Sequence, residues 1–282
     1  MTVPALCNLL KGILTRAGVD NPDGDCAEIL MSALDCDRTR LILYGDNDIP
    51  DDIAEKAVAM AKRRASGEPL QYVLGKWSFM GRDYTVGSGV LIPRDDTEVV
   101  VNAALDLIKD VKKPVIADLC SGSGIIAVTL QKELQNATIY AVEKSGDAYA
   151  YLIQNIKDND ADIHPIKTDI ADCAEDFADG YFDMIVSNPP YIRSSEIPTL
   201  QKEVQYEPRM ALDGGESGYD FYELIIRLWT PKLKNGGCIA FEIGEDQFDH
   251  ISELLTSNGY IDIKGYPDIQ NTIRAVTAKL AR

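Results

Sequence analysis

Apolar residues recur at helical spacing from the start of the chain. Leu6, Leu9, Leu10, Ile13 and Leu14 mark one helical face, and Ile53, Ala54, Ala57, Met60 and Ala61 mark another. The clusters Asp20-Asn21-Pro22-Asp23-Gly24-Asp25 and Gly45-Asp46-Asn47-Asp48-Ile49-Pro50-Asp51-Asp52 lie between them and supply breakers and N-cap residues. Residues 1–72 therefore read as a helical domain. From Val73 to Ile92 the pattern shifts toward alternation around Gly75, Gly81, Gly87 and Gly89, which predicts a β-hairpin linker. Beyond Pro93 the pattern is strand then helix, repeated. Candidate strands are Val115–Leu119, Thr138–Glu143, Asp162–Ile166, Asp183–Ser187, Gly237–Ile243 and Thr272–Ala278. Helical patterns include Asp147–Ile156 and Phe221–Leu233, the latter with Leu224, Ile225, Leu228 and Trp229 on one face. This alternation predicts an α/β domain over residues 93–282, with a parallel sheet covered on both faces.

The first strand of that domain runs into Cys120-Ser121-Gly122-Ser123-Gly124 and then the helical stretch Ile125–Leu130. Small residues there let a ligand approach the backbone, and a helix N-terminus offers free N–H groups. The spacing matches neither the dinucleotide fingerprint Gly-x-Gly-x-x-Gly nor a P-loop, which needs Gly-Lys-Ser/Thr. Glu143 ends the second strand, where a carboxylate can accept two hydrogen bonds from a ribose diol. Asp169 follows the third and could accept from an adenine amino group. Either acid alone reads as a solvated loop residue or a helix cap. Their shared position at carboxyl ends of successive strands, where open α/β sheets bind ligands, points to a nucleoside.

The fourth strand leads directly into Asn188-Pro189-Pro190-Tyr191. The paired prolines fix the backbone, leave the Pro189 carbonyl without a local donor and present Asn188 rigidly at the sheet edge. Asn-Pro-Pro-Tyr in this place resembles the signature of S-adenosylmethionine-dependent methyltransferases that act on planar amide or amino nitrogens. Three further blocks narrow the likeness: Gly67-Glu68-Pro69-Leu70-Gln71-Tyr72-Val73-Leu74-Gly75, Val90-Leu91-Ile92-Pro93-Arg94-Asp95-Asp96-Thr97-Glu98, and Glu207-Pro208-Arg209-Met210-Ala211-Leu212-Asp213-Gly214-Gly215. Together they resemble the HemK/PrmC-type protein-(glutamine-N5) methyltransferases, which modify the Gly-Gly-Gln glutamine of peptide-chain release factors. The chain departs from the family pattern in places. Cys120 stands where the family has its first loop glycine, which a cysteine can replace if its φ is negative. The usual Pro-Arg-Pro-Glu-Thr-Glu reads Pro93-Arg94-Asp95-Asp96-Thr97-Glu98. The ribose acid is Glu143 where aspartate is common.

The resemblance implies a Rossmann-like, seven-stranded class I methyltransferase domain behind a small helical domain. It implies S-adenosylmethionine as cofactor, held by Cys120, Ser121, Gly122, Ser123, Gly124, Glu143, Asp169, Ile170 and Asn188, with no metal. It places Asn188, Pro189, Pro190 and Tyr191 on the substrate, with Asn188, Pro189 and Tyr191 catalytic. An amide nitrogen is a poor nucleophile because its lone pair is delocalised into the carbonyl. The Asn188 side-chain oxygen and the Pro189 carbonyl would accept its two N–H groups, aim it and favour the charge developing during transfer. Tyr191 would stack on the glutamine and wall off water.

Charge bears on the partner. With 45 acidic and 28 basic residues in 282 and a formal charge of −17, the chain lacks the footprint of a nucleic-acid binder. That weighs against the alternative of an adenine-N6 DNA or RNA methyltransferase, which flips its base into a similar pocket. A ribosomal-protein glutamine methyltransferase is a second alternative, and a degenerate fold kept as a binding module a third. Class 1 release factors are the expected partner, recognised by the N-terminal helices, with the acidic surface steering toward a basic patch. Lys62-Arg63-Arg64 reads as the charged last turn of a helix. Trp77 and Phe79 line the pocket entrance or form linker core, with the second favoured. The six cysteines lack any Cys-x-x-Cys pair, and His164 and His250 sit in no nucleophile motif, so zinc, disulfide and triad chemistry are not expected. No signal-like or spanning apolar run is present, and a cytoplasmic monomer is expected.

Overall fold

A computed structural model describes every residue except Asp46 and Arg282. Asp46, in the second turn cluster, and the last residue of the expected 93–282 domain therefore lie outside the described residues. The chain divides into two compact units: residues 1–76 with 201–206, and residues 77–200 with 207–282.

The first unit holds α1 (Val3–Arg16), α2 (Pro22–Leu34), α3 (Arg38–Tyr44), α4 (Asp51–Ala65) and α5 (Leu70–Leu74). Asn21 caps α2 by accepting from the Gly24 N–H at 3.0 Å, with Pro22 preset for the first turn. α1 packs on α2 and α4, and Leu6, Leu10 and Leu14 of α1, Ile29 of α2 and Ala57 of α4 are all fully buried. Leu9, expected on the same face, is exposed. Lys62-Arg63-Arg64 is more than a charged helix end. Arg64 is buried and bonds Asp25 at 2.6 Å and Glu203 at 2.6 Å, while Arg63 pairs with Glu68. A guanidinium tolerates such burial because its fork satisfies two carboxylates at once.

The hairpin is shorter than the glycine pattern suggested: β1 (Lys76–Phe79) and β2 (Arg82–Thr85), joined at Met80 and Gly81, whose φ values of 46° and 75° make the tight turn that matches strand twist. Phe79 and Tyr84 are buried edge to face at 6.2 Å, and Trp77 packs on Val86, Val90 and Ala148. Phe79 is core, as favoured from sequence, while Trp77 is half-buried against that small cluster.

The remaining elements of the second unit are α6 (Thr97–Ile108), β3 (Val115–Leu119), α7 (Ile125–Glu133), β4 (Thr138–Glu143), α8 (Gly146–Asp158), β5 (Ile163–Lys167), α9 (Ile170–Cys173), β6 (Phe182–Ser187), α10 (Asp220–Trp229), β7 (Leu233–Glu242), α11 (Phe248–Ser257), β8 (Tyr260–Pro267) and β9 (Ile273–Leu280). The seven-stranded sheet has the order β5-β4-β3-β6-β7-β9-β8. Strand residues alternate between its two layers. Ile116, Ile139 and Met184 face Val100, Val128 and Leu152, whereas Ala117, Ile185 and Phe241 face Tyr222, Trp229 and Leu255.

The sheet is not wholly parallel, which corrects the expectation. β9 runs antiparallel to both β7 and β8. β8 was not anticipated, because its register shifts between Ile261 and Lys264, with Asp262 at φ 54°, and this breaks the alternation that betrays a strand. The strand order reverses between β3 and β6, opening a crevice at their carboxyl ends.

Candidate functional site

The loop after β3 is wound tightly: Cys120, Gly122 and Gly124 have φ values of 60°, 57° and 82°. Ser121 Oγ donates to the Asp118 carbonyl at 2.8 Å, and Asn155 Nδ2 donates to the Ser123 carbonyl at 2.9 Å. Asp118, wholly buried at the end of β3, accepts from the Ala127 N–H at 3.1 Å and so fixes the start of α7. Burial pushes its carboxyl up to about 8. Open space surrounds Gly122, whereas a side chain at Gly124 would strike Leu152. Gly122 thus leaves room for a ligand and Gly124 serves helix packing.

The condition placed on Cys120 fails, because its φ is positive. In that region a Cβ crowds the following carbonyl at a cost of about 1 kcal/mol or more, which glycine avoids. Cys120→Gly is expected to raise stability by about 0.5–1 kcal/mol, because the strain relieved exceeds the added chain entropy. Urea unfolding at constant slope measures it, and a less stable variant refutes it. Burial, with Glu143 and Asp118 nearby, pushes the Cys120 thiol far up, so it is no thiolate nucleophile.

Glu143 closes the loop from the other side. Its Oε2 accepts from the Gly122 N–H at 2.8 Å and its Oε1 from the Ser145 N–H at 2.6 Å. Burial still holds the carboxyl above its usual range. Each oxygen keeps a lone pair for a further donor. Asp169 accepts from the Ala171 N–H at 2.9 Å as the cap of α9 and from Lys144 Nζ at 2.7 Å. Burial alone would raise it, but those two donors hold it below the ordinary value.

After β6 the chain enters Asn188-Pro189-Pro190-Tyr191. Asn188 Nδ2 donates to Thr97 Oγ1 at 3.4 Å. Among the described residues neither Asn188 Oδ1 nor the Pro189 carbonyl accepts a hydrogen bond. Tyr191 is turned away from the cavity, its hydroxyl donating to Glu242 Oε1 at 3.4 Å. Gln247 Nε2 holds the Tyr191 carbonyl at 3.1 Å. A Cβ on Gly214 would lie 2.7 Å from Tyr191 Cα and 2.8 Å from the Pro190 carbonyl, so only glycine lets this segment back the signature. Ile192 and Asp213 form a bridge there.

Two of the sequence blocks meet in the structure. Glu207 is buried and accepts from the Ile92 N–H at 2.9 Å while pairing with Arg94. Burial raises its carboxyl, and Arg94 opposes that. This clamp holds residues 90–97 and 208–211 over the crevice.

The result is a cavity of about 440 Å³. Nine of the twelve residues expected at the site line it: Cys120, Ser121, Gly122, Ser123, Glu143, Asp169, Ile170, Asn188 and Pro190. Gly124, Pro189 and Tyr191 do not. Ile92, Thr97, Ile125, Met210, Phe221 and Leu224 also line it and were not assigned from sequence. Thr97 and Met210 fall inside two of the blocks that carry the resemblance. Phe221 and Leu224 sit on the half-buried flank of α10, whose buried face is Tyr222, Ile225, Ile226 and Trp229. A flat heterocycle between Ile170, Ile125 and Leu224, with a diol at Glu143 and the open loop at Gly122, suits this donor set, so the adenosyl part of S-adenosylmethionine fits. Among the described residues no group of three or more His, Cys, Asp and Glu could hold a metal ion, and no helix is long and apolar enough to cross a membrane.

Residues 6–75 match the family model described as the PrmC N-terminal domain, and residues 97–215 match that of the methyltransferase small domain. A methyltransferase structure from Pyrococcus furiosus superposes with a TM-score of 0.53 at 18% identity, covering 73% of this chain and 92% of that one, a likeness of fold. Two relatives named release factor glutamine methyltransferase are much closer in sequence. That of Geobacter sulfurreducens is 35% identical over 99% of this chain and 97% of its own, and that of Clostridium botulinum 37% identical over 95% of each. Likeness at that level along nearly the whole length, with loop and signature framing one nucleoside-sized cavity, means that the chain belongs to the release factor glutamine methyltransferase family.

Proposed function

We propose that the protein transfers a methyl group from S-adenosylmethionine to the side-chain amide nitrogen (N5) of the Gly-Gly-Gln glutamine of peptide-chain release factors. One observation carries this reading: Asn188 Oδ1 and the Pro189 carbonyl, successive in the chain after β6, have no donor among the described residues, while Asn188 Nδ2 meets Thr97. Two acceptors so placed match the two N–H groups of a primary amide. They would orient its nitrogen lone pair and stabilise the positive charge that grows on it. The bound cofactor supplies the electrophilic methyl on a sulfonium. Glu143 would hold the ribose hydroxyls, and Ile170 and Leu224 would enclose the adenine. Tyr191 walls the site from behind through Glu242 rather than stacking directly on the substrate. Residues 1–72 are read as the part that selects the release factor, residues 73–92 as linker and residues 93–282 as the catalytic domain. The net charge of −17 supports an enzyme that works on a protein without binding nucleic acid itself. The reading places it in the cytoplasm as a monomer.

The test is transfer of labelled methyl from S-adenosylmethionine to a purified release factor and to the same factor with its Gly-Gly-Gln changed to Gly-Gly-Ala. Label on the first and none on the second is expected. Equal label on both, or label on RNA, DNA or a ribosomal protein instead, would assign the substrate elsewhere.

A further inference from the structure

We infer that Gln247 is a positioning residue for methyl transfer: its side-chain amide pins the Tyr191 carbonyl to the loops before α10 and after β7, and so fixes where the Asn188 and Pro189 acceptors stand. The inference rests on the reading of those two acceptors as the groups that hold the reacting amide.

Paired prolines stiffen a turn but cannot anchor it, because neither has an N–H to donate. The chain leaves the sheet at Ser187, the last residue of β6. Among the described residues the next backbone–backbone hydrogen bonds belong to Ile192, whose N–H donates to the Leu212 carbonyl at 2.9 Å and whose carbonyl accepts from the Gly214 N–H at 2.8 Å. Between those two points the main chain of the signature is held by a side chain: Gln247 Nε2 donates to the Tyr191 carbonyl at 3.1 Å.

Gln247 stands at the N-cap of α11, is only 9% exposed, and commits both ends of its amide to fixed groups. Nε2 also donates to the Gly218 carbonyl at 3.1 Å, and Oε1 accepts from the Gly244 N–H at 2.9 Å. The Tyr222 hydroxyl, which donates to the Glu242 carbonyl at 2.8 Å, lies 3.3 Å from the same Oε1. A peptide carbonyl only accepts and a peptide N–H only donates, so the amide has a single orientation. The packing is equally close. A Cβ on Gly218 would stand 2.7 Å from the Tyr191 carbonyl oxygen and 3.1 Å from Gln247 Nε2, and one on Gly244 would stand 3.1 Å from Gln247 Oε1 and 3.4 Å from Tyr191 Cδ2. Two loops thus meet the end of the signature through one buried amide. Gln247 does not line the cavity, so it reaches the chemistry only through the turn it holds. A displacement of about 1 Å at the reacting atoms is enough to cost on the order of 100-fold in rate.

The experiment compares single-turnover methyl transfer to a release factor and S-adenosylhomocysteine affinity in wild type, Gln247→Glu, Gln247→Leu, Asn188→Ala and the Asn188→Ala/Gln247→Glu double variant. Gln247→Glu keeps the shape and an acceptor for Gly244, but it can donate to at most one of the two carbonyls, and to neither when ionised. Gln247→Leu keeps most of the volume and removes every polar contact. Each is expected to slow transfer about tenfold or more, with affinity within about twofold of wild type, because the residues that line the cavity are untouched. Once Asn188 is alanine, Gln247→Glu should slow transfer only about threefold further, because one of the two acceptors it places is gone. A wild-type rate in either Gln247 variant overturns the inference. So does an equal slowing by Gln247→Glu in both backgrounds, or an affinity that falls in step with the rate, which is the mark of a merely structural role. A wild-type rate in Asn188→Ala overturns instead the underlying reading of Asn188, and it is seen in a different variant.

Discussion

Asn188→Ala is expected to slow methyl transfer by about 10²–10³-fold, the range found when one preorganised hydrogen-bonding group is removed from a transition state. The loss should fall on the chemical step. A primary amide resists alkylation at nitrogen until its lone pair is drawn out of conjugation, and an acceptor fixed on its N–H stabilises the cationic state more than the neutral one. Asn188 is rigid because Pro189 and Pro190 follow it, and Pro190 and Tyr191 just beyond are backed by Gly214 and held by Gln247. Rapid-quench transfer at saturating release factor, alongside calorimetric binding of S-adenosylhomocysteine, separates the two effects. A rate within threefold of wild type would remove Asn188 from the mechanism.

Glu143→Ala is expected to weaken S-adenosylhomocysteine binding by about 150-fold or more, since hydrogen bonds to a charged acceptor contribute roughly 1.5–3 kcal/mol each and two ribose hydroxyls would lose theirs. The alanine also releases the Gly122 and Ser145 N–H groups that the carboxylate holds, so the loop would loosen at the place where the ligand must meet it. The pH dependence follows from the same geometry. Burial keeps the Glu143 carboxyl above its ordinary value, and the ionised form accepts hydroxyls best, so affinity should fall as pH drops through that raised value. Glu143→Gln should bind weakly and without that fall. Titration calorimetry across pH decides it, and an alanine variant that binds like wild type would locate the ribose elsewhere.

Much of this site was legible in the chain because strand ends are local events. β3, β4 and β6 announce themselves as short apolar runs, and the chemistry-bearing residues follow each within a few positions, so the pattern of the chain alone places Cys120 to Ser123, Glu143, Asp169 and Asn188. What escaped was set by contacts distant in sequence. Thr97 reaches Asn188 across 91 residues and Glu207 reaches Ile92 across 115, and no periodicity reports such pairs. The contact of the Tyr191 hydroxyl is of the same kind, since the carboxylate that accepts it stands on β7, 51 residues later. The sign of φ at Cys120 was hidden because the residue type argues against it. β8 was lost to its own bulge, and with it the antiparallel edge of the sheet.

The Glu207 clamp has a consequence for how the enzyme is born. Closing a contact over 115 residues brings a loop-entropy cost that nearer contacts do not share, so the roof of the crevice closes late in folding. A chain still leaving the ribosome has its Cys120–Gly124 loop and Glu143 long before it has Glu207, and longer still before Glu242 arrives on β7. The nascent protein therefore passes through a state with half a nucleoside pocket, and its crevice gains a roof only after Glu207 has been made.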